Sequence, residues 1–448
     1  MNKALAMLMT IAALAALEVG KADTTAAEWT KFRGDLQNTG YSPDRVAEKL
    51  ELRWETELPG AREFWSSPCI AGGKLFVGNQ DGCLYCLDAA TGRLVWTSAI
   101  GSQYPIYASP AVDGGMVFCA SYRTISALPV EDPDGDGHIN LAEVAWEYVV
   151  GPSTGGVNDV VAGSPAIKDG RLYLGAVDQY FYCFDATKGG EPVWDTYTMY
   201  RGQHAFASSP AMADGKVFAA TGEQRGAGRL YCFDEADGKI LWAFDNHDMT
   251  FSSPAIADGK IFIANSGDWI QGNRDHRLFC LDVDGFLDGV DDGEPDEHTG
   301  GSDLIWTYDM GDYVFSSPAC HAGRVFVGCT SGILVCIDAE SGRRVWELNT
   351  GEQRGRMYPR GIMGSPAVAD GKVFIGTGDG RLLAVPVEDP NGDGVIDEDE
   401  ILWSHSVGRR VVCSPAIADG CVYIGNDRGT LFCFGPSDRT DRADGSSE

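Results

Sequence analysis

Apolar positions come along this chain in short bursts, never in long helical stripes. KLFVG (Lys74–Gly78), RLYLG (Arg171–Gly175) and KVFIG (Lys372–Gly376) each follow a turn of the type ADGK, and each precedes a second burst such as CLYCLD or RLYCFD. Bursts of about five residues with period-two character, bounded by Asp-Gly turns, predict short β-strands joined by tight hairpins. A Gly-containing turn and a further strand carrying a tryptophan complete the unit.

The unit occurs eight times. A Ser-Pro opens each copy, at Pro68, Pro110, Pro165, Pro210, Pro254, Pro318, Pro366 and Pro415, with spacings of 42, 55, 45, 44, 64, 48 and 49 residues. Trp54, Trp96, Trp146, Trp194, Trp242, Trp306, Trp346 and Trp403 count the copies independently. Four strands in roughly 45 residues is the signature of a propeller blade, because such a unit buries its apolar face only against a neighbour. The last copy stops before its tryptophan strand, and the strand around Trp54 precedes the first copy. The expected fold is therefore all-β, an eight-bladed β-propeller of four-stranded antiparallel blades. The N-terminal Trp54 strand should complete the last blade and remove a free sheet edge.

LDAATGRLVW (Leu87–Trp96), FDEADGKILW (Phe233–Trp242) and IDAESGRRVW (Ile337–Trp346) resemble the tryptophan-docking repeat of the PQQ-like, or quinoprotein alcohol dehydrogenase-type, β-propellers. The opening WTKFRGDLQNTGYSP (Trp29–Pro43) is similar to the lead-in segment of the same superfamily, which also contains the propeller lipoprotein of the outer-membrane β-barrel assembly machinery. The resemblance covers Trp29 to about Gly435. It implies the propeller fold, whereas chemistry depends on the site grafted onto it.

Charge changes this picture. The formal net charge is −30, which argues against nucleic acid or an anionic membrane as partner. Residues 131–143, 282–303 and 388–400 hold 21 of the 65 acidic residues and no Lys or Arg. Two of these stretches, EDPDGDGHINLAE and EDPNGDGVIDEDE, follow the calcium-loop pattern D-x-[DN]-x-D-G-x-I-x-x-x-E. In the first, Asp132, Asp134 and Asp136 offer side-chain oxygens, His138 its carbonyl, Asn140 a water-mediated contact and Glu143 a bidentate carboxylate. The same roles fall to Asp389, Asn391, Asp393, Val395, Asp397 and Glu400. Glu143 and Glu400 lie three residues before Trp146 and Trp403, so the loops replace the short turn between third and fourth strands of blades two and seven. Two calcium ions are expected, with a third conceivable near Asp288–Asp292, where the acidic insertion fits the pattern only partially.

Residues 1–27 contain Lys3, an apolar run and small residues, and read as a signal peptide. No cysteine follows the run, so a periplasmic or extracellular protein without a lipid anchor is expected. Residues 28–435 form the propeller and 436–448 an acidic disordered tail. Of the thirteen cysteines, six (Cys86, Cys183, Cys232, Cys280, Cys336, Cys433) occupy one repeat position that is otherwise Ala127 or Ala384, which marks a small buried packing site.

The loops before each Ser-Pro and between second and third strands make the funnel face, where the family's enzymes bind their quinone. Arg201, His204, His247, Asp248, Trp269, Arg354, Arg356, Arg360 and Arg409 fall in these loops. The resemblance implies an adjacent-cysteine disulfide, a calcium set and a catalytic aspartate in those enzymes; the chain has no Cys-Cys pair. On that ground, and because the calcium loops lie at the turn opposite the funnel, the expectation is an exported, non-enzymatic, monomeric scaffold binding a protein or glycan, with catalytic residues none, calcium bound and PQQ unlikely. Its alternative is a PQQ-dependent dehydrogenase of alcohols or sugars.

Overall fold

The computed structural model describes residues 28–437, apart from residues 59, 101–103, 122, 152–162, 199–205, 223–227, 247–249, 267–275, 285–303 and 352–360. The expectations for residues 1–27, for the tail beyond Ser437 and for the insertion around Asp288–Asp292 lie outside the described residues.

Eight antiparallel sheets follow one another along the chain. Blade one is typical, with strands Cys69–Ala71, Lys74–Gly78, Leu84–Asp88 and Leu94–Ser98 paired in order. The inner strand is three residues long because little room exists near the axis. Its hairpin to the second strand uses the left-handed region, as at Asp258 (φ 49°) and Gly259 (φ 72°), which asparagine-like residues and glycine tolerate. Blade eight is built from Ala416–Ala418, Cys421–Gly425 and Thr430–Gly435, closed by Glu51–Glu57 with Trp54 opposite Cys433. The first and last strands of the propeller thus share a sheet, as the sequence predicts.

Tryptophans join each blade to the next. The indole of Trp54 donates to the Ala89 carbonyl at 2.9 Å, Trp96 to Val130, Trp146 to Ala186, Trp346 to Val387 and Trp403 to Leu50. Gly92 lies against Trp54 so closely that a Cβ there would sit 2.5 Å from the ring, which accounts for glycine in the turn. Ion pairs add to several junctions, including Lys216–Asp284 at 2.7 Å and Lys260–Glu340 at 2.8 Å. The repeat thiols and their alanine equivalents are buried, Cys86 and Ala127 completely.

A second system of contacts encircles the axis. The serine of each Ser-Pro accepts the backbone N–H of the corresponding serine in the preceding blade. The bonds run Ser67→Ser109→Ser164→Ser209→Ser253→Ser317→Ser365→Ser414 and return from Ser414 to Ser67, at 2.8–3.0 Å. Eight blades are therefore closed by eight buried hydrogen bonds, each satisfying a donor that water cannot reach. In blades one, four, five and six the serine one position earlier works within its own blade, accepting the N–H of Gly78, Ala220, Ala264 and Gly328.

Beneath this ring the lead-in segment fills the axial channel. Carbonyls of Trp29, Thr30, Leu36, Gln37, Thr39 and Gly40 accept N–H groups of Ile70, Val112, Met212, Ile256, Cys320 and Val368, the middle residues of six inner strands. Tyr41–Ser42 then pairs in parallel with Ala367–Ala369. Side chains satisfy carbonyls that face the axis. Arg33 donates to Pro318 and Pro366, and Asn38 to Ser209, Pro210 and Pro254. Lys31 donates to Phe32, Asp35 and Asn38 inside the segment, and burial pulls its ammonium down to about 7.

Candidate functional site

Two places carry chemistry, at opposite ends of the blade strands. The first is the pair of acidic turns. In blade two, Asp132 accepts the N–H groups of Gly135 and Gly137, Asp134 that of Asp136, Asp136 that of His138, and Glu143 that of Asn140. Blade seven repeats this scheme: Asp389 accepts from Gly392 and Gly394, Asn391 from Asp393, Asp393 from Val395, and Glu400 from Asp397. Gly137 and Gly394, at φ 88° and 87°, make the bend between them. Asp132 and Asp389 are held below the usual carboxylate range, first by the N–H groups of Gly137 and Gly394. Oxygens of Asp132, Asp134 and Asp136 lie within 4.8 Å of one another.

Both loops dock on the neighbouring blade. Ile139 is buried and donates its N–H to Thr97, while Gly137 accepts from Thr97; Ile396 and Gly394 do the same with Glu347. His138 bridges Thr97 and Val395 bridges Glu347 in parallel, on the outer strands of blades one and six. The isoleucine of the pattern anchors each loop to the previous blade, a role that its sequence position alone does not disclose.

The second place is the funnel face, at the ring serines. Two residues before those serines the eight blades carry Trp65, Tyr107, Ala162, Ala207, Phe251, Phe315, Met363 and Val412. Trp65 and Tyr107 meet edge to face at 5.7 Å, and Phe251 and Phe315 stack at 5.3 Å with 26° between planes. Contacts between equivalent residues of adjacent blades occur near the axis, where blades converge. Blades one and two stand opposite blades five and six, so two aromatic pairs occupy opposite sides of the mouth. Phe251 is 37 % exposed, unusual for an unbranched aromatic ring beside a core.

Polar groups gather beside the first pair. The Trp65 indole donates to Glu63 at 2.9 Å, and Arg410 donates to the other Glu63 oxygen at 3.2 Å. Arg410 also pairs with Asp427 at 3.5 Å. Burial raises the Asp427 carboxyl above its ordinary value, against the pull of Arg410. Asp427 Oδ1 is buried and accepts no hydrogen bond. A carboxylate with a raised proton affinity and a vacant lone pair is a competent proton acceptor. Burial, and then the negative charge of Glu63, also push the Tyr107 phenol up.

None of Trp65, Glu63, Tyr107, Arg410 and Asp427 is among the funnel residues singled out from the sequence. The signal was present in the repeat register: counting back from each Ser-Pro aligns the aromatic positions. Of the other funnel candidates, Arg409 is described and lines a surface cleft with Glu55, Glu57 and Arg428 at the junction of blades seven and eight. Arg201, His204, His247, Asp248, Trp269, Arg354, Arg356 and Arg360 lie outside the described residues.

These features define a PQQ-like propeller with a funnel site. A family model described as "Outer membrane protein assembly factor BamB" matches residues 47–175 and 183–442, and the chain belongs to this family. Among curated proteins it is 31% identical over 232 residues to the quinohemoprotein alcohol dehydrogenase ADH-IIG of Pseudomonas putida, covering 50% of this chain and 26% of that one. It is 26% identical over 204 residues to the outer membrane protein assembly factor BamB of Burkholderia pseudomallei (strain K96243), covering 43% and 47%. The chain thus spans about a quarter of the dehydrogenase and half of the assembly factor. The crystal structure of the quinohemoprotein alcohol dehydrogenase from Comamonas testosteroni superposes with a TM-score of 0.67 at 14% identity, over 96% of this chain and 84% of that one, and shows the shared fold.

The comparisons correct three expectations. A non-enzymatic scaffold, a chain leaning away from enzyme activity and an improbable PQQ are each overturned by relatives that are quinone-dependent alcohol dehydrogenases. The earlier inference leaned on the missing Cys-Cys pair. That disulfide supplies a wall beside a flat cofactor, and aromatic rings present the same kind of surface. The two aromatic pairs fit the faces of a planar group such as a quinone.

Proposed function

We propose that the protein is a PQQ-dependent dehydrogenase of alcohols, working at the funnel face. The observation that carries this reading is the vacant, burial-raised Asp427 carboxylate beside the Trp65–Tyr107 pair, in a chain whose curated relatives include quinone alcohol dehydrogenases. Trp65, Tyr107, Phe251 and Phe315 would hold the flat cofactor by stacking, and Arg410, beside the first pair, would offer it a positive charge. When bound, the quinone supplies a two-electron acceptor.

The chain's own residues have the remaining tasks. Asp427, the carboxyl whose proton affinity burial raises, would be the base for the hydroxyl proton of the substrate. Arg410 keeps Asp427 in place, and its charge opposes the rise that burial causes. Glu63 fixes both Arg410 and the Trp65 ring, so that the aromatic wall and the base stand in one rigid unit. Export to a calcium-bearing compartment through the N-terminal segment belongs to the same reading, as do calcium ions in the turns Asp132–Glu143 and Asp389–Glu400. Their hydrogen-bond schemes, which leave carboxylate oxygens free to converge, support that assignment.

The test is reduction of an artificial dye by primary alcohols, with PQQ and calcium added to the purified protein. The wild type should turn over, and Asp427→Asn should lose at least a hundredfold in kcat while still binding the quinone. No turnover with any alcohol or sugar in a protein that binds PQQ would remove the dehydrogenase reading.

A further inference from the structure

Blade eight departs from a rule that six of the other seven blades keep. The first residue of the second strand lies over the repeat thiol, and in six blades it is a cation: Lys74, Arg171, Lys216, Lys260, Arg324 and Lys372. Lys74, Lys216, Lys260 and Arg324 reach an acid of the next blade, respectively Glu131, Asp284, Glu340 and Glu388. Blade two has Met116 here. Blade eight has Cys421, and the position matching those acids in blade one is Ala90. Both partners of the ion pair are absent together, and a second thiol stands over the first.

The register puts the two sulfurs together. Tyr423 pairs with Cys433 and Val422 with Phe434, so Cys421 lies opposite Gly435, on the same face as Cys433. On that shared face the Cys421 and Cys433 thiols are near enough to shift each other's ionisation. Gly435 makes the approach feasible, since a Cβ there would stand 2.7 Å from the Cys421 sulfur. Cys421 is half-buried, at the strand end beside the Gly420 turn, and the Arg53 stem crosses the same spot from the closing strand. The repeat thiols Cys86, Cys232, Cys280 and Cys336 are pushed up by burial, whereas Cys421 is drawn down, first by the neighbouring Cys433 thiol and then by the Arg53 charge.

We propose that Cys421 and Cys433 form a redox-active dithiol that closes to a disulfide by exchange with an external disulfide. The bridge is diagonal across two strands, and the glycine opposite Cys421 leaves its sulfur free to swing. Cys421 thiolate attacks one sulfur of the external disulfide and displaces a thiolate. The Cys433 sulfur then attacks Cys421 and displaces the second. One S–S bond breaks and another forms; the protein loses two electrons, and its two thiol protons end on the two released thiols. Cys421 is the attacking residue because it is the exposed member and the more readily ionised. The product staples the second and third strands of blade eight, next to the strand that closes the ring. This inference is independent of the quinone reading.

The experiment equilibrates the folded protein with oxidised glutathione, quenches with acid, alkylates after unfolding and maps the peptides. The expected result is loss of two of the thirteen thiols, with a single crosslink joining Cys421 to Cys433. Cys433→Ser should stop at the mixed disulfide on Cys421, and Cys421→Ser should leave Cys433 unmodified. Thirteen intact thiols, glutathione retained on wild-type Cys421 without a crosslink, or losses at other cysteines would each overturn the proposal.

Discussion

Two rings of residues circle the same axis, two positions apart in sequence, and they differ in kind. The first, made by the eight Ser-Pro serines, is uniform, and every member performs one identical hydrogen bond. The second, two residues earlier, reads Trp65, Tyr107, Ala207, Phe251, Phe315, Met363 and Val412 among the described residues. Uniformity is what closure requires, since one defective link opens a sheet edge to solvent. Variety is what a site requires, since a ligand is recognised by unlike walls. The repeat therefore tells where the fold ends and the function begins.

Substitutions can break that contrast in order of size. Trp346→Ala removes a fully buried docking ring and should cost about 3–5 kcal/mol in chemical denaturation. Ser209→Ala strands the buried Ser164 N–H and should cost about 1–3 kcal/mol, with a similar figure at any ring serine. Equal losses around the ring would sharpen the comparison; a neutral substitution at one serine would show that closure there rests on something else. Chelation of calcium should lower stability by about 1.4 kcal/mol per site, for a site of Kd about 10⁻⁴ M in about 1 mM calcium, as read by the shift of the denaturation midpoint. Phe251→Ala should move stability least, within about 0.5 kcal/mol, because the ring is already partly exposed. Its effect belongs to ligand binding instead.

Much of the fold was legible in the sequence because a propeller repeats its instructions. Eight tryptophans, eight Ser-Pro pairs and the orphan strand around Trp54 sufficed for blade number and closure, and the structure agrees at each. The axial path of Trp29–Ser42 was not legible. It depends on carbonyls accepting from six inner strands at once, and no local pattern announces such a contact. The acidic turns were legible residue by residue, yet the docking of Ile139 and Ile396 on neighbouring blades was not. The funnel site was the least legible part. Asp427 is one carboxylate among many, and only its burial and its vacant oxygen separate it from the others. Judging function by the missing Cys-Cys pair gave weight to one family wall and none to the aromatic positions that the register exposes.

The direct test of the account is titration of PQQ, in the presence of calcium, into the wild type and into Trp65→Ala and Phe251→Ala, followed by tryptophan fluorescence and by calorimetry. The account predicts one saturable site, weakened about tenfold by loss of either ring at unchanged folding stability. No binding to the wild type, or binding untouched by both substitutions, would contradict it.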